Sequence, residues 1–390
     1  PIADRTVYGG SPLHIGLNGY DPNGGPLTYT VTSSNPTLVS GTILTGNRSA
    51  RITVSGWGDM VFQLFESQVP NATGRFITLA ESGFYDAANN DPPITVHRVV
   101  DNFVLQFGDP TGTGGGGSSL GPFDDDFHPD LQHNTAGALS WAKAGDDTNN
   151  SQVFVTDVPI RYLDFNHSYF GQLTEGESVR NGITATATNS SDKPIVPINI
   201  ESVTIFEDHE NGMLVLKAAE DASGDADITV TVTDADGNQY VETFHVTVSP
   251  DPYNSGPYLE DIPAIATTVN TPATFTISAI DVEGDPVLFS GVKAGNVNYT
   301  FSVDSQTGQV TVTPPTDYVG TMQILLRVAA ANGSDTTDPY DSQLVSITVA
   351  PAAPAAVDLV AASDSGFSST DNITNQTSLA FEVTGVTSGA

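Results

Sequence analysis

The chain has 390 residues, of which 38% are hydrophobic and none is cysteine, and it carries 46 Asp+Glu against 12 Lys+Arg, a formal net charge of −34. Such a surface repels phosphate backbones and anionic lipid, which excludes nucleic-acid binding, and without cysteine there are no disulfides or Cys-ligated zinc. No apolar run reaches the roughly 18 residues that cross a bilayer as a helix, so no membrane insertion is expected of this segment.

At roughly 150 residues per domain the length predicts two to four domains. The chain starts at Pro1 and stops at "TGVTSGA", and it reads as a piece of something longer. Its acid is spread through Asp-containing turns within a Thr-, Val- and Gly-rich background. That composition is associated with large bacterial surface proteins, so the expected location is secreted or at the cell surface, with other cell-surface proteins among the partners.

In chain order, "GYDPNGGPLTYTVTSSNPTLVSGTI" (19–43) looks like the first half of a β-sandwich that breaks off near Asn47. "GMLVLKAAEDASGDADITVTVTDADGNQYVETFHVTV" (212–248) looks like the second half, with period-two alternation on both sides of the turn "DADGNQ". Neither half has strands enough to bury two faces. The expected arrangement is one sandwich, 1–48 plus 208–250, interrupted by an inserted domain at 49–207, since insertion at a loop tip disturbs little buried backbone.

Within the insertion, "ARITVSGWGDMVFQLFE" (50–66) predicts a strand pair, and "VPNATGRFITLAESGFYD" (69–86) predicts a helix with Pro70 at its start and Phe76, Leu79 and Ala80 on one face. Then comes "HRVVDNFVLQFGDPTGTGGGGSSLG" (97–121), which reads as a single strand over His97–Gln106 followed by a glycine loop. "GALSWAKAGDDTNNSQVFV" (137–155) and "RYLDFNHSYFGQLTEGESV" (161–179) follow, with a second helix expected near "EGESVRNGIT".

The ordered motifs here are the His-Arg pair, a Phe five residues after that Arg, a Gln three further on, Gly-Asp with its glycine loop, Ser-Gln-x-Phe, and Leu-Asp…His…Phe-Gly. Over about 155 residues they closely resemble the cyclophilin family of peptidyl-prolyl cis/trans isomerases. The resemblance implies a mainly β fold, a closed eight-stranded antiparallel barrel capped by two helices. It also implies an activity that needs no cofactor and acts on Pro-containing peptide or protein segments.

Carried over by position, Arg98 is the donor to the twisted prolyl amide, and Phe103, Phe154 and Leu163 wall an apolar proline pocket with His167 at its rim. Gln106 bonds the substrate chain, and the backbone at Ala142 and Lys143 pairs with it. Val104, Gln152 and Tyr162 complete the substrate-binding set. His97 falls on the opposite strand face and is left out.

The sequence also departs from the family pattern. Val104 stands where Met is usual, Val153 where an aromatic is, Tyr162 where many members have Trp, Trp141 and Lys143 where Met and Asn are common. Phe107 takes a position normally glycine, and the approach to His97, "DAANNDPPITV" (86–96), is longer than usual. If Phe107 or that loop filled the groove beside Arg98, the reading would shift from an isomerase to a spacer or adhesin module that binds Pro-containing segments without significant catalysis.

After the interrupted sandwich, residues 251–350 hold "ATFTISAIDVEGDPVLFS" and "TGQVTVTPPTDYVG", which resemble bacterial cadherin-like or immunoglobulin-like repeats and predict a β-sandwich. Residues 351–390 read as a Pro/Ala linker and the cut-off start of a further Ig-like repeat. Oxygen-rich turns offer candidate Ca²⁺ ligands: Asp281, Glu283 and Asp285 first, Asp234 with Asp236 next, then Asp364 and Asp371. Asp/Gly turns of this kind also serve hairpins with no ion bound.

Overall fold

Alternating apolar residues in short Thr/Val-rich runs form strands here, some joined to the next as hairpins, as Ser49–Val54 with Gly58–Leu64, and others paired far along the chain, as Arg5–Tyr8 with Gln239–Ser249. The computed structural model describes residues 1–331, 340–353, 356–364, 374 and 376–384; Asp371 lies outside them. The chain divides into two compact units, Pro1–Gly256 with Asp281–Asp285, and Pro257–Ile280 with Pro286–Ala390.

In the first unit, Arg5–Tyr8 runs parallel to Gln239–Ser249, which pairs antiparallel with Gly224–Thr233, and that strand in turn pairs with Thr28–Ser33. A second sheet sets Gly212–Ala218 between Leu13–Leu17 and Val39–Leu44. Every strand from the first 48 residues thus bonds to one beyond residue 211. Their inward faces, including Val7, Ile15, Val39, Leu216, Ile228, Phe244 and Val246, bury together as one core.

Between these halves lies an eight-stranded sheet in the order Ile200–Phe206, Ser49–Val54, Gly58–Leu64, Tyr169–Glu175, Ala138–Trp141, Val153–Thr156, Val104–Phe107, Arg98–Val100. The sheet curls, but its edge strands meet only around Ile94–Val96 and Ile198–Ile200, through Val96 N–H to Ile198 O (2.9 Å) and Ile200 N–H to Ile94 O (2.9 Å). It is the expected eight-stranded curled sheet, its edges joined at one bridge rather than along a full ladder.

Helix α1 (Pro70–Glu81) packs Ala72, Thr73, Phe76, Ile77, Leu79 and Ala80 inward. Its N-cap, Val69, has no side-chain oxygen. Asp126 supplies one from across the fold, accepting the N–H groups of Asn71 (2.7 Å) and Ala72 (3.0 Å), and its charge favours the positive end of the helix dipole. Helix α2 (Glu177–Thr184) starts after Gly176, whose φ of +93° and close approach to Asp59 O leave no room for a Cβ.

The stretch read as one strand over His97–Gln106 is a hairpin. Arg98–Val100 turns at Asp101–Phe103, with Asn102 at φ +56°, and returns as Val104–Phe107. Asn is among the few non-glycine residues that adopt this left-handed conformation readily.

In the second unit a four-stranded sheet (Ile265–Thr268, Tyr340–Ala350, Gly320–Ala330, Val287–Ala294) and a three-stranded one (Ala273–Thr276, Gln309–Thr313, Thr300–Val303) bury Tyr299, Val310, Val312, Met322, Ile324 and Ile347 between them. Short pairs join Tyr258–Leu259 to Ala279–Ile280 and Ala356–Leu359 to Phe381–Thr384.

Candidate functional site

Period two along the barrel strands sorts the site from the core. Phe107 lies opposite Val153 and Leu105 opposite Val155, and all four face the barrel interior. The alternate residues face the other way and fall on one register line: Arg98 opposite Gln106, Gln106 opposite Phe154, Phe154 opposite Ser140. One row across four strands therefore brings together Arg98, Gln106 and Phe154, the residues expected to be the donor, the substrate-holding amide and a pocket wall.

Beside that row Val104, Phe154, Ile160 and Leu163 bury as a separate apolar cluster, with Phe103, Ala142 and Val158 packed on it half-buried. The Arg98 guanidinium sits 5.4 Å from the Phe103 ring centroid, and the Tyr162 ring stacks on Phe103 at 6.2 Å between centroids. Nε of Arg98 lies 3.8 Å from Asp192, both side chains being partly exposed (39% and 49%). Arg98 thus stands beside an apolar cluster with its side chain partly exposed.

Gln106 donates to Gln152 Oε1 (2.9 Å), and Gln152 donates to the carbonyls of Gly114 (3.0 Å) and Gly116 (2.8 Å). That links the glycine loop to the row. The loop is also tied down from inside by Asp109, fully buried, which accepts the N–H groups of Thr111, Thr113 and Gly114 at 2.6–2.9 Å. Burial alone would raise the Asp109 carboxyl, yet these donors hold it at about 2.

His167 packs edge-on against Phe154 at 5.4 Å, and its Nδ1–H donates to Trp141 O (2.9 Å). Burial lowers it to about 4, so the ring stays neutral at neutral pH. His97 is buried on the face away from Arg98, as expected, with burial lowering its pKa.

The departures from the family pattern resolve individually. Val104 belongs to the apolar cluster, whereas Val153 faces the barrel core. Phe107 is fully buried against Tyr85 in the barrel core, on the strand face opposite Gln106. The 86–96 loop bonds to itself and to neighbouring backbone, Asn89 to Gly83 O, Asn90 to Phe84 O and Val203 N–H to Asp86. Ala142 N–H is already committed to Gln152 O (2.9 Å). The Lys143 side chain turns into the protein, its ammonium bonded to Asp125 and 3.4 Å from Asp146.

That last group was not foreseen from the sequence. Asp125, Asp146 and Asp147 bring carboxylate oxygens within 4.8 Å of one another around Lys143, and burial, then Asp124, pushes Asp147 upward. Acids on both sides of a lone Lys in an acidic chain were the available sign. Also unforeseen is a buried chain of polar groups behind Phe154, running through Ser140, His133, Asp164 and Arg161.

Of the calcium candidates, Asp234 spends its carboxylate on its own turn, accepting from the N–H of Asp236 and from both the N–H and the side-chain amide of Asn238. At the other, Asp281 accepts the Asp285 N–H, Glu283 accepts Ser255 Oγ–H, and Asp285 accepts the Asn254 amide.

Comparison with known proteins fits this geometry. The family model for "Cyclophilin type peptidyl-prolyl cis-trans isomerase/CLD" matches residues 49–205, and one for a "Bacterial Ig domain" matches 254–348. Peptidyl-prolyl cis-trans isomerase ppi1 of Schizosaccharomyces pombe is 43% identical over 145 residues, 37% of this chain and 90% of that protein. Peptidyl-prolyl cis-trans isomerase-like 1 of Homo sapiens is 39% identical over 145 residues, 37% of this chain and 84% of its own. A solved cyclophilin-type isomerase of Cryptosporidium parvum is 36% identical, covers 42% of this chain and 99% of its own, and has a TM-score of 0.39.

Proposed function

Because residues 49–205 make the chain a member of the cyclophilin-type peptidyl-prolyl cis-trans isomerase family, we propose that it twists Xaa–Pro bonds at the Arg98 row, with Arg98 as the catalytic donor. An amide of this kind rotates over a barrier of roughly 18–20 kcal/mol because resonance must be broken. In the twisted state the proline nitrogen regains its lone pair. A donor placed there binds the transition state better than either planar form, and only that difference accelerates the reaction.

The observation that carries this reading is the register line Arg98–Gln106–Phe154 beside the Val104–Leu163 cluster. The proline ring enters the apolar cluster and packs on Phe154, with His167 as a neutral rim. Gln106 holds the substrate chain, and the carbonyl of Ala142 is the group that pairs with it, its N–H being taken. Arg98 reaches over Phe103 to the amide nitrogen, its fork permanently charged. No nucleophile, proton transfer or metal is required. Exchange NMR on a short Xaa–Pro peptide tests it: added protein should broaden and merge the cis and trans signals, and unchanged exchange at a tenth of the peptide concentration sinks the reading.

The same proposal places the barrel as an insertion, 49–207, in a sandwich made of 1–48 and 208–250, followed by the Ig-like sandwich of 251–350. Such a chain is suited to a secreted or cell-surface setting, where its substrates are Pro-containing segments of neighbouring proteins. It includes Ca²⁺ at Asp281, Glu283 and Asp285, whose carboxylates gather beside Asn254 and Ser255. It assigns Asp234 and Asp236 to a hairpin turn instead.

A further inference from the structure

The pocket wall Phe154 has its back to a chain of buried polar groups that does not end inside the barrel. The His133 ring stacks on Phe154, 6.1 Å between centroids at 22°. Nε2 of His133 meets Ser140 Oγ at 2.8 Å, and Nδ1 meets Asp164 Oδ1 at 3.1 Å, an oxygen that also accepts the His133 N–H at 2.5 Å. The other oxygen of Asp164 takes Nε of Arg161 at 2.5 Å. His133 O accepts the N–H of Ile160, which lines the pocket, at 2.7 Å.

Arg161 opens the single helical turn Arg161–Leu163, so its backbone also carries Tyr162 and the pocket residue Leu163. Its side chain is 2% exposed and cannot turn to water. Asp164 can satisfy one edge of the guanidinium only. The other edge is shared: Nη2 donates to Gln132, within the barrel, at 2.7 Å and to Asp251 Oδ2, outside it, at 2.9 Å. The Tyr253 ring lies 4.9 Å from the guanidinium carbon, and Tyr253 rests against Tyr8 of the first sandwich strand. Asp251 and Tyr253 belong to the segment that leaves the last sandwich strand, Gln239–Ser249.

A buried guanidinium is stable only when its charge and donors are met. Burial pulls the Arg161 pKa down, but Asp164 and then Asp251 outweigh it and raise it. With Asp251 neutral, Asp164 would be left as the one counter-charge and drawn toward Arg161, away from the His133 contacts that hold the ring against Phe154.

Resting on the isomerase reading above, we propose that Asp251 is a positioning residue for isomerisation. Through Arg161, Asp164 and His133, a residue outside the barrel sets the pose of Phe154 and Leu163 in the proline pocket. The activity of the inserted barrel then depends on the exit segment of its host, and displacing that segment lowers turnover.

The test uses the full chain and three variants. Asp251→Asn keeps shape and removes charge. Asp251→Glu keeps the charge. Lys217→Ala breaks a different host–barrel ion pair, with Asp130, that does not touch Arg161. Exchange NMR gives kcat and KM for an Xaa–Pro peptide, and thermal unfolding monitors the fold. The expected result is a five- to tenfold fall in kcat for Asp251→Asn with KM changed less than twofold, recovery to within twofold of wild type in Asp251→Glu, and wild-type kcat in Lys217→Ala. The Phe154 ring resonances should shift in Asp251→Asn and not in Lys217→Ala.

Active wild type with unchanged kcat and Phe154 shifts in folded Asp251→Asn overturns the proposal alone. An equal fall in Lys217→Ala also overturns it, because any loosening of the host would then suffice. Wild type without activity defeats the isomerase reading itself.

Discussion

Replacing Arg98 by Ala separates catalysis from stability more sharply than any other change in the site. A donor aimed at charge that develops only in the transition state is worth about 2.7–4 kcal/mol, so kcat/KM should fall roughly 10²–10³-fold. The cost to folding is much smaller. The ion pair with Asp192 is exposed on both sides and worth under about 1 kcal/mol, and the contact with the Phe103 ring adds about 0.5–1 kcal/mol. Together these predict a Tm drop of only a few degrees for a unit of this size. Arg98→Lys keeps the charge but loses the planar fork, and should recover less than about tenfold of the lost activity. A chromogenic Xaa–Pro peptide assayed at 10 °C, alongside a thermal melt, measures both quantities. If Arg98→Ala retained kcat/KM within threefold of wild type, the donor role would be refuted, because the row's other residues, Gln106, Phe154 and Ser140, carry no charge.

Three further outcomes follow from the packing. Phe107→Ala empties a fully buried ring site next to Tyr85 and should cost about 3–5 kcal/mol in urea unfolding, yet leave kcat per folded molecule unchanged; a change in KM above threefold would mean that Phe107 touches substrate after all. His14, enclosed by the rings of Phe65 and Tyr169, and His167 are both held at about 4 by burial, below the unfolded value near 6.5. The unfolded chain therefore binds more protons between these values, so stability is complete above about pH 6.5 and declines as pH falls toward 4, by on the order of 3 kcal/mol for each ring. His14→Phe should remove about half of that decline in urea titrations at pH 7.5 and 4.5, and an unaltered slope would contradict it. If Asp281, Glu283 and Asp285 hold Ca²⁺, millimolar Ca²⁺ should raise Tm by several degrees in wild type and not in Asp281→Asn; an equal rise in both would place the ion elsewhere.

The family resemblance named the candidate site, and Arg98, Phe103 and Gln106, the proposed donor, wall and amide, fall within nine residues of sequence. The same spacing hid the hairpin. Arg98 and Gln106 are eight apart, which on one strand would put them far from each other, whereas the turn at Asn102 sets them side by side. Period two along Val104–Phe107 already implied that Phe107 and Gln106 face opposite ways, but not which face was the core; Val153 across the ladder decides that. Asp126 at the start of α1, and Asp251 on Arg161, were illegible for a different reason: each contact joins residues 54 or more positions apart, and no local pattern records which acid in an acid-rich chain meets which partner.

The pairing of Arg5–Tyr8 with Val246–Ser249 sets an order of events during folding. Strands of the first 48 residues cannot find their partners until about 160 intervening residues have been made. The barrel removes most of that obstacle once formed, because its own first and last strands pair at Ser49 and Phe206. A long, slack loop becomes a near-hairpin, lowering the closure entropy by roughly 3 kcal/mol. The barrel should therefore fold first and act as the clasp that brings the two halves of its host together, so that a lesion in the barrel core slows assembly of a sandwich it does not belong to.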